Sequence, residues 1–282
     1  MKINNSDKAS HVSLRSRVLS LPTFIAFCIA FGFISFLVTR FDVEWSITWD
    51  NITTMNPWFY LLALLFYYSS FLFRGMRWRM LAKNSIEDSQ DHEKIPGAKD
   101  VAQLIIIGWF VNSITWFRIG DAYRAYIFAE DSDREISWSL GTILAERVLD
   151  TVTIFILLAG SSLFVYTSFT NHAGIYILIS ALAMALSLIL ALVTMKRYGL
   201  RIALILPSGL RHAYLKFHQG TLDSLKQLKI LMALGILGWT LEIARLYFVV
   251  LALDINTPIP LIVVVALGHA ILSTIPTPGG VG

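Results

Sequence analysis

Four groups of charged or helix-breaking residues could do chemistry in this sequence, and the first surrounds two arginines. The stretch from Asn112 to Arg124 reads NSITWFRIGDAYR and places Arg118, Gly120 and Asp121 directly after an apolar run. Guanidinium groups bind phosphate oxygens through paired hydrogen bonds, and a glycine lets backbone approach a ligand closely. We therefore expect Arg118 and Arg124 to hold an anionic group. The alternative is a basic anchor at an interface, with Asp121 as its partner.

The second group is Glu146, Arg147 and Asp150. Glu146 and Asp150 are four residues apart and share one face of a helix, so Arg147 can neutralise only part of their charge. We expect Arg118 or Arg124 to supply the rest, unless the group is an ordinary charged helix end.

The third group is Glu242 with Arg245, which interrupt the apolar run 230–253 near its middle. A lone charge at that depth in a bilayer costs about 2.5–3.5 kcal/mol, and charged residues there usually face a bundle interior or a wet cavity. Their spacing of three lets the two side chains neutralise each other. The pattern favours a polar pathway over a purely structural pair.

The fourth group is the terminal IPTPGGVG at 275–282, in which Pro276, Pro278, Gly279 and Gly280 must break a helix. The break marks either a site or the end of a membrane span. Because the motif has no polar tail, we expect that more sequence follows it in the natural protein.

The composition of the chain indicates what kind of elements position these groups. Of 282 residues, 56% are hydrophobic and 15% are charged, and the mean hydropathy is +0.64. A soluble domain has roughly 45–50% apolar and about 25% charged residues, so the composition excludes a soluble enzyme and indicates a membrane protein. Cys28 is the only cysteine and the histidines lack metal-ligand spacing, so we expect no metal and no cofactor. The net charge is +4, and the charged residues lie between apolar runs instead of on one face, which argues against a nucleic-acid partner.

Apolar runs long enough to cross a bilayer predict an all-α, polytopic membrane helix bundle with about six full crossings in one domain, 1–282. The second run leads into Arg74, Arg77 and Arg79, which we interpret as a basic collar at the membrane surface. The segment 198–229 predicts amphipathic surface helices, or else a solvated connector. The predicted crossings are 18–39, 57–76, 151–170, 174–195, 230–253 and 260–276.

The distribution of basic residues predicts that 101–117 enters and leaves the membrane on one face. With that topology, 21 of the 23 lysines and arginines become cytoplasmic, together with the N-terminus. Non-helical backbone at membrane depth is tolerated beside protein or a water-filled cavity, so a re-entrant segment usually marks a site. The alternative is a short helix packed inside the bundle.

A weak internal similarity is compatible with an inverted repeat, in which broken helices from two halves meet near the membrane midplane. Chance is the alternative. The matched residues, 160 positions apart, are Gly108, Ser113 and Gly120 with Gly268, Ser273 and Gly280.

Four ordered motifs resemble the lysylphosphatidylglycerol synthase transmembrane region, or flippase-like domain, over roughly residues 20–282. They are FRGMRWRML at 73–81, N-x5-R-x-G-D-x2-R from Asn112, ER-x2-D from Glu146, and the terminal IPTPGGVG. The sequence departs from the family pattern at Trp116, where the family usually has proline, and members commonly continue past the final glycines.

The resemblance implies a protein of the inner (cytoplasmic) membrane that flips anionic or aminoacylated phospholipids, or lipid-linked glycans, between leaflets. In bifunctional members this domain is joined to a soluble synthase domain, which this sequence lacks, so we do not expect enzymatic activity. The implied partners are membrane lipids and a synthase or glycosyltransferase.

Two other functions stay open. One is a membrane-embedded transferase acting on a lipid phosphate, with Asp121 or Glu146 as general base. The other is a non-catalytic membrane subunit that docks a lipid- or glycan-modifying enzyme.

Overall fold

A computed structural model describes residues 44–115, 118–166 and 173–272 of the chain, together with residues 32 and 35. Within these residues every regular element is a helix, which confirms the all-α membrane helix bundle expected from composition. The contacts group into two compact units, Met1–Thr54 and Met55–Gly282. The sequence predicts a single domain over residues 1–282, and this stays a prediction.

In the first unit the structure describes one complete helix, α1 (Trp45–Thr54), which carries the exposed indoles of Trp45 and Trp49. The second unit contains eight α-helices within the described residues. They are α2 (Pro57–Asn84), α3 (Ala98–Ile114), α4 (Ile119–Asp131), α5 (Ile136–Tyr166), α6 (Ala173–Ile205), α7 (Ser208–Leu222), α8 (Leu228–Ala252) and α9 (Ile259–Leu272). Short 3-10 helices, Ser89–Lys94 and Asp223–Leu225, precede α3 and α8.

Three helices of the described part are long and apolar enough to cross a membrane: α2, the Leu178–Ile205 portion of α6, and α8. α2 begins where the Asn56 side chain accepts a hydrogen bond from the backbone of Trp58, with Pro57 in the first turn. The predicted crossings 57–76 and 174–195 lie within α2 and α6, and 230–253 lies within α8 except for its last residue. Of the predicted crossing 18–39, the structure describes residues 32 and 35.

The boundaries of several elements differ from those that apolar runs predict. α2 continues to Asn84 and α6 to Ile205, so the surface region expected at 198–229 contains a separate helix only from Ser208. α5 begins at Ile136 rather than near 151, because charged residues buried by neighbouring helices are accommodated inside it. α9 (Ile259–Leu272) covers residues 260–272 of the predicted 260–276 crossing, and residues 273–276 lie outside the described range.

α3 and α4 form an antiparallel hairpin that returns to the end of the bundle where it starts. At its tip, the Asn112 side-chain oxygen accepts a hydrogen bond of 2.8 Å from the backbone N–H of Gly120. At its open end, Lys94 Nζ lies 3.4 Å from Asp133 Oδ2, and Arg134 pairs with Asp91. Lys94, and after it Arg134, hold the pKa of the Asp91 carboxyl below its usual value. A re-entrant segment requires this geometry, and its side of the membrane stays a prediction.

The other connections with basic residues meet at the same end of the bundle. Asn84 donates hydrogen bonds to the carbonyl oxygens of Ser224 (3.1 Å) and Lys226 (2.7 Å). Near the start of α5, His212 contacts Glu135 at 2.8 Å. The junctions α2–α3, α4–α5 and α7–α8 are thereby held together.

Candidate functional site

Asp121, in the first turn of α4, is the centre of the first half of a buried charged network. Its carboxylate lies 3.2 Å from Arg118 Nε, 3.2 Å from Arg124 Nε and 3.1 Å from Arg147 Nη2. The first two arginines belong to the hairpin and Arg147 to α5. Asp121 therefore joins the hairpin to the long helix behind it.

Glu146 continues the network towards α2. Its Oε2 lies 3.0 Å from Arg124 Nη2, and its Oε1 lies 3.8 Å from Arg77 Nη2. Arg124 is completely buried, and its guanidinium lies over the ring of Trp78 at 4.8 Å from the centroid. This arginine is thus shared between two carboxylates and an aromatic face, each of which attracts a guanidinium group.

Asp150, one helical turn after Glu146, connects α2 with α8. Its Oδ1 accepts a hydrogen bond of 2.6 Å from Arg77 Nη2 and one of 3.0 Å from the indole N–H of Trp239. Its other oxygen lies 3.8 Å from Arg147 Nη1. The second predicted group therefore does more than end a helix: its two carboxylates lie inside α5 and bind arginines from α2 and α4 and a tryptophan from α8.

Arg74 has a different environment from the other arginines of this region. Its side chain is 4% exposed and makes neither a hydrogen bond nor an ion pair within the described residues. Its guanidinium lies between two indoles, 5.1 Å from the ring centroid of Trp109 and 4.3 Å from that of Trp239. Stacking on aromatic faces offsets part of the cost of burying a charge. No carboxylate of the described chain lies within 4.0 Å of Arg74.

Glu242 and Arg245 form an ion pair on α8, as their spacing predicts. Nε and Nη2 of Arg245 lie 2.9 Å and 2.8 Å from Glu242 Oε1, and the Arg245 guanidinium lies over Tyr67 at 5.3 Å. The other carboxylate oxygen, Oε2, is buried and has no hydrogen-bond partner among the described residues. The pair is therefore neutral overall and keeps one unused acceptor.

A cavity of about 420 Å³ lies beside this pair, between α2, α3, α8 and α9. Its lining includes both indoles that sandwich Arg74. The residues with polar or aromatic groups towards it are Tyr67, Trp109, Trp239, Glu242, Arg245 and His269.

A second cavity of about 500 Å³ lies near the open end of the hairpin, lined by Arg134, Glu135, Trp138 and Lys216 among others. Its charged groups are already engaged: Arg134 pairs with Asp91, and Lys216 lies 3.8 Å from Glu135. None of the three predicted groups in the described chain contributes to its lining. We therefore place the candidate site in the network and the 420 Å³ cavity.

The structure brings the first two predicted groups into one network but does not leave their arginines open as expected. Arg118 and Arg124 both contact Asp121. Asn112 and Gly120 hold the hairpin tip together, so their described contacts are structural. Pro276, Pro278, Gly279 and Gly280 lie outside the described residues, as do Ser273 of the suggested repeat and Trp116.

Sequence reasoning missed Arg74 and Arg77 as site residues. The prediction that Arg74 and Arg77 belong to a basic collar at the membrane surface is wrong, because both side chains are buried. They are the 18th and 21st residues of α2. A signal was present in FRGMRWRML, where three arginines are interspersed with large apolar residues. The tryptophans 109 and 239 carried no comparable signal, because their role depends on contacts across three helices.

Among the described residues, no three His, Cys, Asp or Glu side chains come together in a way that could hold a metal ion. The chemistry that this arrangement can perform is recognition of charge within a helix bundle, because its carboxylates are bound by arginines and Arg74 forms no ion pair among the described residues.

Membrane-length apolar helices around a buried charged network define a multi-pass membrane protein. Comparison with known proteins then gives its family. The model of the lysylphosphatidylglycerol synthase TM region matches residues 23–282, and the chain belongs to this family, as the four motifs predict. It is also 30% identical to UPF0104 membrane protein MJ1078 of Methanocaldococcus jannaschii over 175 residues, which cover 61% of this chain and 74% of the relative. No solved structure matches the chain.

Proposed function

We propose that this protein translocates phospholipids, or lipid-linked glycans, with anionic or aminoacylated head groups between the leaflets of the cell membrane. The observation that carries the proposal is an excess of positive charge inside a helix bundle. Among the described residues, the buried Arg74, Arg77 and Arg124 and the partly buried Arg118 and Arg147 lie near three carboxylates, Asp121, Glu146 and Asp150. The neutral Glu242–Arg245 pair does not change this balance.

Surplus buried cations are costly, and a structure keeps them when a charged partner visits the site. An anionic head group that enters the bundle would supply the missing negative charge while its acyl chains stay in the bilayer. This balance supports a translocase for anionic head groups over a protein that only scaffolds other subunits.

The transferase alternative receives less support. It needs Asp121 or Glu146 as a general base, but both carboxylates lie 3.0–3.2 Å from arginine nitrogens. The oxygens of both carboxylates are therefore already engaged by guanidinium groups of this chain. The two groups are better suited to positioning arginines than to accepting a proton from a substrate.

The proposal includes a cytoplasmic N-terminus and a head-group-modifying synthase or glycosyltransferase as a separate partner. The basic connections at one end of the second unit would then face the cytoplasm, where cations attract anionic lipid.

Proteoliposomes test the proposal directly. Phosphatidylglycerol that carries a fluorophore on one acyl chain is incorporated into both leaflets, and dithionite is added outside to reduce the accessible label. We expect vesicles with the wild-type protein to lose the inner-leaflet signal as well, while protein-free vesicles keep it. Equal inner-leaflet protection in both preparations would reject the proposed function.

A pair of variants assigns the effect to the network. Arg124→Gln removes a buried charge that contacts Asp121 and Glu146, and it should slow exchange on the order of tenfold or more. Lys99→Gln removes one positive charge from an exposed position of α3 and should leave exchange unchanged. Both variants must elute as monodisperse protein for the comparison to count.

A further inference from the structure

Glu242 is a buried carboxylate that uses one of its two oxygens to bind its arginine. The two nitrogens of Arg245 that reach it, Nε and Nη2, both contact Oε1, at 2.9 Å and 2.8 Å. The second oxygen, Oε2, is buried and has no hydrogen-bond partner among the described residues. Arginine commonly contacts both oxygens of a carboxylate, and buried polar atoms almost always have a partner. Oε2 is therefore free to bind something that the described chain does not supply.

The position of this oxygen restricts what it can bind. Glu242 is the fifteenth residue of α8, a helix of membrane length, and it lines the cavity of about 420 Å³. A metal cation takes several oxygen ligands, whereas the rest of the described wall consists mainly of aromatic and apolar side chains. A proton needs a single oxygen and no further space. Carboxylates at this depth in membrane helices occur in the proton pathways of pumps and transporters.

Other titratable groups face Glu242 from the elements that form the cavity. α2 contributes Arg74 and Tyr67, each of which interacts electrostatically with Glu242, and α9 contributes His269. α8 contributes Arg245, and α3 adds no titratable group to the described wall. His269 is exposed, whereas Glu242 is 7% exposed. Glu242 is the only carboxylate in the described lining of this cavity, and its charge is the one that neutralises Arg245.

We propose that Glu242 Oε2 binds a proton that crosses the membrane together with the translocated anionic lipid. The proposal rests on the translocation proposed above and names what drives it. When Oε2 takes a proton from the water on one side, Arg245 loses its counter-charge on α8 and attracts an anion. Loss of the proton to the other side restores the pair and releases the anion. Because the proton and the anion favour each other's binding, a pH gradient drives the lipid towards the more alkaline side.

The charges of the two passengers support this coupling. A singly charged anionic phospholipid and one proton together carry no net charge. Their joint movement therefore requires no work against the membrane potential, whereas movement of the anion alone transfers one charge across it. The pH gradient, and not the potential, should set the direction of transport.

Proteoliposomes with an imposed pH gradient test the coupling. Phosphatidylglycerol with a fluorophore on a short acyl chain is added to the outer leaflet, and albumin later extracts the label that remains there. Valinomycin with equal potassium on both sides holds the membrane potential at zero. The final ratio is read when it no longer changes, so that it reports the driving force and not the rate.

The expected result is accumulation of the label on the alkaline side. With the outside about one pH unit more acidic, the wild-type protein should raise the inner-to-outer ratio about fivefold over the same vesicles without a gradient, within a limit of about tenfold for one proton per lipid. Protein-free vesicles under the same gradient correct for redistribution by the bilayer alone. An unchanged ratio in wild-type vesicles that exchange lipid would overturn the proposal.

Variants then test the residue. Glu242→Gln keeps the shape of the side chain but cannot bind and release a proton, so the ratio should return to its gradient-free value. Because this variant leaves Arg245 without a counter-ion on α8, Glu242→Gln/Arg245→Gln, which removes both charges, makes the same test if the single variant is not folded. A full gradient response in either variant would overturn the site. Loss of gradient-free exchange in the double variant would place Glu242 in the lipid path and not in coupling, which also overturns it.

Asp254→Asn is the matched control for losing a carboxylate. Asp254 is exposed and follows the end of α8, and asparagine tolerates the left-handed backbone at this position. This variant should respond to the gradient like wild type. A response that is lost in His269→Gln and kept in Glu242→Gln would place the proton on the imidazole and overturn the assignment.

Exchange without a gradient distinguishes this proposal from the function on which it rests. Wild-type exchange that is insensitive to the gradient would reject the coupling and keep translocation. Absence of exchange under both conditions would reject translocation, and the coupling with it.

Discussion

Gly120 lies so close to Gly108 that no side chain fits between the two helices of the hairpin. A Cβ atom added to Gly120 would overlap the carbonyl oxygen of Gly108 and lie 2.7 Å from the side-chain oxygen of Asn112. We therefore predict that Gly120→Ala destabilises the protein by about 1–3 kcal/mol, because it forces α4 away from α3. The thermal melting temperature of the purified protein measures this change.

Gly160→Ala is the matched control, because an added Cβ at this position of α5 has no neighbour within 4 Å. Alanine also favours a helix more than glycine does, by up to about 1 kcal/mol, so this variant should melt at or above the wild-type temperature. If Gly120→Ala melts with the control, the close approach of the two helices does not matter for stability.

A second prediction concerns Asp150 and Arg77, which are joined at 2.6 Å. Asp150→Asn leaves Arg77 with Glu146 at 3.8 Å as its remaining carboxylate neighbour in the described chain, and breaking a buried pair costs about 3–5 kcal/mol. The double variant Asp150→Asn/Arg77→Gln removes both charges and should recover at least about 1 kcal/mol relative to the sum of the single changes. The substituted amide oxygen can still accept the Trp239 N–H.

Melting temperatures of the four proteins complete this double-mutant cycle. Glu87→Gln changes an exposed carboxylate before α3 and provides the baseline for losing one acidic side chain. Strictly additive effects of the two single substitutions would show that Arg77 and Asp150 do not stabilise each other.

Features that depend on neighbours along one helix could be predicted from the sequence, whereas contacts between helices could not. The run lengths predicted the membrane helices, and the spacing of Glu242 and Arg245 predicted their pair, because both depend on neighbours along one helix. The partners of Glu146 and Asp150 come from α2, α4 and α8. A single sequence contains no information on which helices pack together, so the unusual position of Arg74 could not be predicted.

Arg118 provides a third prediction, because it begins α4 with a φ of 55°. Non-glycine residues pay about 1 kcal/mol for this left-handed conformation, while glycine adopts it freely. Arg118→Gly should therefore be more stable than Arg118→Ala by about 1 kcal/mol. Leaflet exchange should be slowed equally in both variants, since both lose the guanidinium that contacts Asp121.

Comparing these two variants separates the backbone from the side chain at this position. Melting temperatures report the conformational cost, and the dithionite assay reports the contribution of the charge. Normal exchange in both variants would show that Arg118 has no part in translocation, whatever its effect on stability. Equal melting temperatures would instead contradict the conformational argument.

The last prediction concerns the sides of the membrane. Cys28 is the only cysteine, so Cys28→Ser provides a background in which single cysteines are placed at Glu87, Glu130 and Asp254. Because Lys94 contacts Asp133 and Arg134 contacts Asp91, the two ends of the α3–α4 hairpin must face the same compartment. A membrane-impermeant maleimide should therefore label Glu87→Cys and Glu130→Cys under the same condition, which in the proposed topology is only in inverted vesicles. Asp254 follows α8, which crosses the membrane in that topology, so Asp254→Cys should be labelled in intact cells. External labelling of Glu130→Cys but not of Glu87→Cys would mean that the hairpin crosses the membrane, and the network would then lie on a different path from the one proposed.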